Sequence, residues 1–271
     1  MVGALSSLTR AQAALIRALL QDKRVRVQEG AFVLEGAKAC LECICRHPQS
    51  VISLTVSSHY LRAEDEKART IRRNLKAPQF SCTDGFFEKL SDVPSPQGIL
   101  GVVRIPHRDE KQVWRQTQIL GIYGESIRDP ANVGAIIRTA AGLNLTALWL
   151  SSDSADCFNP KVVRSTAGAI LDLPIFYGKD FPAFRDHQCC IYSAVLPSPD
   201  SIALRSIKSI PRRVVVAVGN EGHGLNAETL RKSDVRFCIP LARTVESLNV
   251  SATVAISAFY MSGLPTEVRQ G

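Results

Sequence analysis

Apolar residues recur at Leu8, Ala11, Leu15 and Leu19, a spacing that lines one face of a helix and predicts one over 8–20. A basic stretch follows, Lys23-Arg24-Val25-Arg26. The run Phe32-Val33-Leu34-Glu35-Gly36 then reads as a short strand closed by a glycine turn. Helical spacing returns over 37–46. Branched apolar residues over 50–56 predict a strand, and 60–75 is charged and helix-forming. Thr83 supplies a capping side chain for a helix over 83–90. Behind the loop Pro94-Ser95-Pro96-Gln97, Gly98-Ile99-Leu100-Gly101-Val102-Val103 is an apolar strand. These pieces make a small alternating α/β unit, long enough to bury a core of its own.

The stretch Pro106-His107-Arg108-Asp109-Glu110-Lys111 is charged, carries proline and lacks apolar periodicity. It divides the chain into a first domain over 1–106, a linker over 107–116 and a second domain over 117–271. Strand and helix alternate more plainly after it. Strands are predicted over 119–123, 147–150, 191–196, 214–218 and 237–239, and helices over 131–143, 160–169 and 248–261. The run Val214-Val215-Val216-Ala217-Val218 has no polar alternation, as a parallel strand covered on both faces requires. Alternating βα units imply a doubly wound parallel sheet, whose ligands bind beyond the carboxyl ends of the strands.

Composition narrows the partners. The 271 residues are 45% hydrophobic and 21% charged, ordinary globular values that exclude disorder and fibrous repeats. No apolar run reaches the roughly 18 residues of a membrane helix. The excess of 33 Lys+Arg over 25 Asp+Glu gives a net charge of +8 and favours polyanions. Residues 1–109 hold 16 of those cations against 11 acids, so the first part is the more basic per residue.

Eight cysteines without a secretory leader imply a reducing, cytoplasmic setting. Cys40, Cys43, Cys45 and His47 crowd one predicted helix, but no second ligand pair follows at zinc-site spacing, so no metal is expected. The first 21 residues hold Arg10 and Arg17 and no acid, faintly like a transit segment. Their helical pattern runs straight into a core strand, which favours a helix of the mature fold.

Three strand-end loops of the second domain carry the candidate chemistry. In Asp129-Pro130-Ala131-Asn132-Val133-Gly134, Asn132 stands near a helix start, where it can cap backbone N–H groups, and Arg138 lies one turn beyond Gly134. In Gly219-Asn220-Glu221-Gly222-His223-Gly224-Leu225, three glycines expose backbone polar groups to a ligand. Neither a Walker loop nor G-x-G-x-x-G is present. In the third loop, Pro240 ends a strand, and Ser247 and Asn249 flank the start of an apolar helix, with Ser247 placed to cap it.

The order and spacing of these loops resemble the SpoU/TrmH family of the SPOUT superfamily, RNA ribose 2′-O-methyltransferases that use S-adenosylmethionine. Asp129-Pro130-x-Asn132-x-Gly134-x-x-x-Arg138-Thr139-Ala140 looks like the family's first motif, and Val218-Gly219-x-Glu221-Gly222-x-Gly224-Leu225 like its second. Ile239-Pro240-Leu241 with Glu246-Ser247-Leu248-Asn249-Val250 looks like its third. The first domain is similar to the RNA-binding module often fused to it. The resemblance implies a catalytic set of Asn132, Arg138, Glu221, Ser247 and Asn249. It implies a cofactor held by Gly219, Asn220, Gly222, Ile239, Leu241 and Leu248. It also implies a homodimer, an RNA substrate across the dimer interface, and a C-terminal trefoil knot, which periodicity alone does not predict. The chain departs from the family pattern at Arg243, where glycine is common.

A ribose 2′-OH is a poor nucleophile until its proton is removed or strongly polarised. An arginine is a poor base near neutral pH, so Arg138 is better suited to grip a neighbouring phosphate. The need for a 2′-OH makes RNA, not DNA, the substrate. The leading reading is methylation of ribosomal RNA. The alternatives are a tRNA methyltransferase and a catalytically idle RNA-binding protein of ribosome assembly. A small-molecule α/β enzyme has no nucleotide-loop signature to support it.

Overall fold

The computed structural model describes residues 5–178, 181–242 and 246–267. Arg243 therefore lies outside the described residues. The chain divides into two compact units, Met1–His107 with Asp156–Leu171, and Arg108–Ala155 with Asp172–Gly271.

The first unit holds strands β1 (Ser6–Ser7), β2 (Ala31–Glu35), β3 (Val51–Ser57), β4 (Gln79–Cys82) and β5 (Ile99–Arg104), in the order β1-β4-β3-β5-β2. β5 runs antiparallel to both of its neighbours, and the remaining pairs are parallel. Its helices are α1 (Arg10–Gln21), α2 (Lys23–Glu29), α3 (Ala37–Arg46), α4 (Ser58–Ala63), α5 (Glu66–Asn74) and α6 (Asp84–Leu90). Ala13, Ile16 and Leu19 of α1 meet Phe87 and Leu90 of α6 and the inner residues of β2 and β5 in one apolar core.

Two differences from the sequence reading have plain causes. The basic stretch after α1 is itself a helix, because Asp22 accepts from the Arg24 amide at 2.8 Å and caps α2. The predicted helix over 60–75 is two helices, because the backbone is extended at Glu64 and Asp65. Asp65 caps α5 through the Ala68 amide at 2.7 Å. The Glu64 carboxylate turns inward, 2% exposed, and takes both Nε and Nη2 of Arg72 at 2.8 and 2.6 Å. Such a bidentate pair offsets the cost of burying both charges only through this geometry.

The second unit opens with α7 (Glu110–Trp114), which falls within the predicted linker. Trp114 stacks on Trp149 with ring centroids 5.0 Å apart, and Glu110 accepts from Trp149 Nε1 at 2.7 Å. Arg213 donates to the Trp114 and Gln116 carbonyls and closes the end of the helix. Charge patterning alone did not show this packing face.

Next come β6 (Ile119–Gly124), α8 (Pro130–Gly142) and β7 (Leu148–Leu150). The following helix, α9 (Pro160–Ser165), belongs to the first unit. Asp156 at the start of that segment receives Arg26 Nε and Nη2 at 3.1 and 2.8 Å, and Phe158 packs 5.0 Å from Phe32. A buried arginine on α2 thus gives residues 156–171 their place, which strand-helix alternation could not reveal.

The second unit resumes with β8 (Ile175–Tyr177), α10 (Phe181–Asp186), β9 (Cys190–Ala194) and β10 (Ile202–Ala203). It ends with β11 (Arg213–Val218), α11 (Ala227–Arg231), β12 (Val235–Cys238) and α12 (Val250–Ser262). The sheet order is β10-β12-β9-β11-β6-β7-β8, and every pairing is parallel. Val214–Val218 is buried throughout, as its unbroken apolar run predicts. Trp149 is the largest fully buried side chain, and a Cβ on Gly121 would come within 2.5 Å of its ring. Burying such a ring contributes about 4–6 kcal/mol before conformational entropy is subtracted.

Candidate active site

β6 and β11 lie side by side, and their carboxyl ends present the first two predicted loops. The chain leaves β6 through Glu125 and Ser126, the latter at φ 54°. Asp129, rather than Asn132, caps α8 by accepting from the Ala131 amide at 2.9 Å. Pro130 follows at the first helical position, where its missing N–H costs nothing. Asn132 is thereby released from capping. It is buried, and its side chain points across to the other loops.

The loop after β11 folds back on itself. The Gly224 amide donates to the Asn220 carbonyl at 2.8 Å, and the Gly222 amide to Asn220 Oδ1 at 2.8 Å. A Cβ on Gly219 would stand 2.1 Å from the Gly224 carbonyl carbon. Only glycine lets these two backbone segments touch. Asn220 Nδ2 donates to the Ser126 carbonyl at 2.9 Å, tying this loop to the one after β6.

The third loop follows β12 and returns to Asn249, which caps α12 by accepting from the Ser251 amide at 2.8 Å. Sequence reasoning gave that cap to Ser247. Ser247 is instead exposed, three residues before the helix begins at Val250.

The three loops meet through side chains. Asn249 Nδ2 donates to Asn132 Oδ1 at 2.9 Å, and Asn132 Nδ2 donates to Glu221 Oε1. The direction of this relay follows from the helix cap. A backbone N–H only donates, so the Asn249 atom facing the Ser251 amide is oxygen and its amide nitrogen faces Asn132. Asn132 then presents its own nitrogen to the carboxylate.

Beside this relay lies a cavity of about 490 Å³. Gly219, Asn220, Glu221, Gly222, Ile239, Leu241, Ser247 and Leu248 line it, with Val195, Leu196 and Phe237 among its apolar residues. Glycine backbone on one side and apolar side chains on the other suit a ligand with a flat ring and polar substituents. Asn132 and Asn249 stand behind the lining and reach it through Glu221. His223 also lines the cavity, exposed in the loop.

Arg138 stands apart from this group. It is exposed and makes no hydrogen bond or ion pair with the described residues. Six helical positions separate it from Asn132, which turns it about 120° around α8 from that side chain. Among the described residues, one chain therefore assembles Asn132, Glu221, Ser247 and Asn249 without bringing Arg138 to them.

Ser151 and Ser126 donate hydroxyl protons to Asp153 at 2.6 and 2.7 Å on the rim of the first loop. These bonds, the Ser151 one foremost, hold the Asp153 carboxyl below the usual carboxylate range. Sequence reading also missed Glu125. A carboxylate directly after an apolar parallel strand, at the ligand end of the sheet, was the available signal.

The profile of the SpoU rRNA methylase family matches residues 120–259. The chain belongs to the SpoU rRNA methylase family. The SpoU match takes in all three loops and the relay between them. A second profile, the MRM3-like substrate binding domain, matches residues 16–101 of the first unit. Among relatives, the 23S rRNA (guanosine(2553)-2′-O)-methyltransferase RlmP of Bacillus subtilis is 27% identical over 250 residues, covering 90% of this chain and 93% of that protein. Among solved structures, a chain from Porphyromonas gingivalis assigned to the TrmH family of RNA methyltransferases superposes with a TM-score of 0.76. It is 27% identical and covers 94% of this chain and 98% of that one. The SpoU methyltransferase AviRb of Streptomyces viridochromogenes, solved with AdoMet, shares the fold at a TM-score of 0.79 and 20% identity, covering 93% and 98%.

Proposed function

We propose that this protein transfers a methyl group from S-adenosylmethionine to a ribose 2′-OH of ribosomal RNA. The observation that carries the reading is the Asn249–Asn132–Glu221 relay at the edge of a glycine-lined cavity. The cofactor supplies an electrophilic methyl on a sulfonium. The backbone of Gly219, Gly222, Ile239, Leu241 and Leu248 holds it, and Gly219, lacking a Cβ, lets the loop fold back against Gly224. The relay fixes the Glu221 carboxylate, so it orients polar groups without reorganising. Such positioning is the main demand of an in-line displacement.

Arg138 supplies a guanidinium fork for the phosphate beside the target ribose. The proton of the 2′-OH leaves through that phosphate or water, since arginine stays charged near neutral pH. Because Arg138 stands apart from the relay, it serves the site of a second copy in a homodimer. Support comes from α12, which packs on α8 and exposes Ile256 and Phe259, the latter 71% accessible, three residues apart on one face. The trefoil knot of the cofactor end and a cytoplasmic site of action belong to the same reading. No described helix is long and apolar enough to cross a membrane.

Ribosomal RNA is favoured over tRNA by the rRNA named for RlmP and by the match of the first unit to a substrate binding domain. The test is labelled methyl transfer from S-adenosylmethionine to deproteinised rRNA and, separately, to bulk tRNA, with Arg138→Ala in parallel. Label at one alkali-resistant linkage of rRNA, lost in the variant, is expected. Label in tRNA alone would replace the substrate. No label and no cofactor binding would leave an idle RNA-binding protein.

A further inference from the structure

Glu125 is a carboxylate with no part in the relay, and it is 94% buried (6% exposed) at the carboxyl end of β6. Oε1 accepts from the Asn226 amide at 2.6 Å, and Oε2 accepts from the Thr229 hydroxyl. Both donors belong to the first turn of α11, where the loop lining the cavity ends. Asn226 itself caps α11 by accepting from the Thr229 amide at 2.8 Å. The neighbouring residue, Ser126, receives Asn220 Nδ2 at the beginning of the same loop. Residues 125 and 126 thus hold the loop from Asn220 to Asn226 at both ends. Between those ends lie Glu221, Gly222, His223, Gly224 and Leu225, all of which line the cavity. Asn226, Thr229 and Glu125 do not line it, so the carboxylate acts from behind.

The geometry points to Glu125 as a positioning residue that sets the cavity loop in its cofactor-binding form, an inference that rests on the cofactor reading above. A buried carboxylate needs its hydrogen bonds, and these two donors exist for it only when α11 and the loop are docked. A docked loop has its glycine backbone in place before the ligand arrives, so binding does not have to order it. Because Glu125 and Asn132 leave the same strand end, the residue also ties the cofactor loop to the loop that carries the relay.

The experiment measures S-adenosylhomocysteine affinity by titration calorimetry for the full chain and three variants, with a thermal melt of each. Glu125→Gln keeps the shape but loses the charge and one acceptor. Thr229→Val removes one donor from α11 and leaves the carboxylate. Trp149→Phe, which gives up the part-buried bond to Glu110 elsewhere in this unit, is the stability control. The expected result is a dissociation constant raised about tenfold in Glu125→Gln and several-fold in Thr229→Val. RNA affinity by filter binding stays within about twofold, and Trp149→Phe melts lower but binds the probe as the parent does. Should Glu125→Gln fail to fold, Thr229→Val carries the test alone. Folded variants with parental affinity and a lower melting point would reduce Glu125 to a stabilising group and overturn the inference. A parent chain that bound no S-adenosylhomocysteine would overturn the cofactor reading as well.

Discussion

Asn249 donates its amide nitrogen to Asn132 Oδ1 across 2.9 Å, although 117 residues separate them. The same Asn249 oxygen caps α12 at the Ser251 amide and accepts from the Ser251 hydroxyl. One side chain therefore starts a helix and orients the relay that ends on Glu221. The two roles separate by substitution. Serine is as good a cap as asparagine, but it is too short to donate to Asn132 from the same place. Asn249→Ser is expected to melt within about 2 °C of the parent while turnover falls about a hundredfold. Asn249→Ala loses the cap as well, about 1 kcal/mol, and melts a further 2–4 °C lower. Calorimetry beside single-turnover methyl transfer decides the matter; equal turnover in Asn249→Ser and the parent would remove the relay from catalysis.

Gly219 gives a second, purely steric prediction. A methyl group there would stand 2.1 Å from the Gly224 carbonyl carbon and 2.3 Å from the Leu225 amide nitrogen. Both obstacles are backbone, so neither swings aside. Gly219→Ala must open the loop, and S-adenosylhomocysteine affinity is expected to drop about tenfold or more, since overpacking of this kind costs about 1–3 kcal/mol. The change is local to the loop, so RNA affinity measured by filter binding stays close to parental.

Glu64 supplies a pH-dependent contribution to the first unit. Burial alone would raise its carboxyl, but the hydrogen bonds and charge of Arg72, aided by Arg69, hold it below the usual range. A carboxylate with a depressed folded-state pKa stabilises the protein above its unfolded value of about 4.3, and loses that contribution as pH falls through the folded value. Glu64→Gln leaves Arg72 buried without its charge partner, at a cost of about 3–5 kcal/mol near neutral pH. Melting curves from pH 7 down to pH 3 are expected to show the variant well below the parent at pH 7, with the gap narrowing below about pH 4. A gap independent of pH would mean that Glu64 contributes packing and not charge.

Legibility in the sequence followed the range of the interactions. The apolar run at 214–218 announced a parallel strand because burial on both faces leaves no room for alternation. The strand-end loops were readable because glycine, proline and asparagine act locally. Residues that depend on distant partners were not readable. Arg26 looked like one cation among several until Asp156 was found beside it. Asn132 looked like a helix cap, and it is free for the relay only because Asp129 took that duty three residues earlier. Glu125 had a visible position but no visible partner, since Asn226 and Thr229 lie about a hundred residues on. Arg138 sat within the first motif, yet helical geometry turns it away from Asn132.

If Arg138 serves a second copy's site, a chain lacking the arginine and a chain lacking the relay carboxylate can repair each other. Arg138→Ala is expected to melt as the parent does, because its side chain is exposed and engages none of the described residues. Alone it should lose about a hundredfold or more in turnover, as should Glu221→Ala. Mixing the two after subunit exchange gives heterodimers in about half of the population, and each contains one site with both residues intact. Methyl transfer should then recover to about one quarter of the parental rate. An equal mixture that stayed inactive, with heterodimers verified by differential tagging and light scattering, would place Arg138 and Glu221 in the same subunit's site. A chain that sedimented as a monomer at assay concentration would remove the second copy from the reaction altogether.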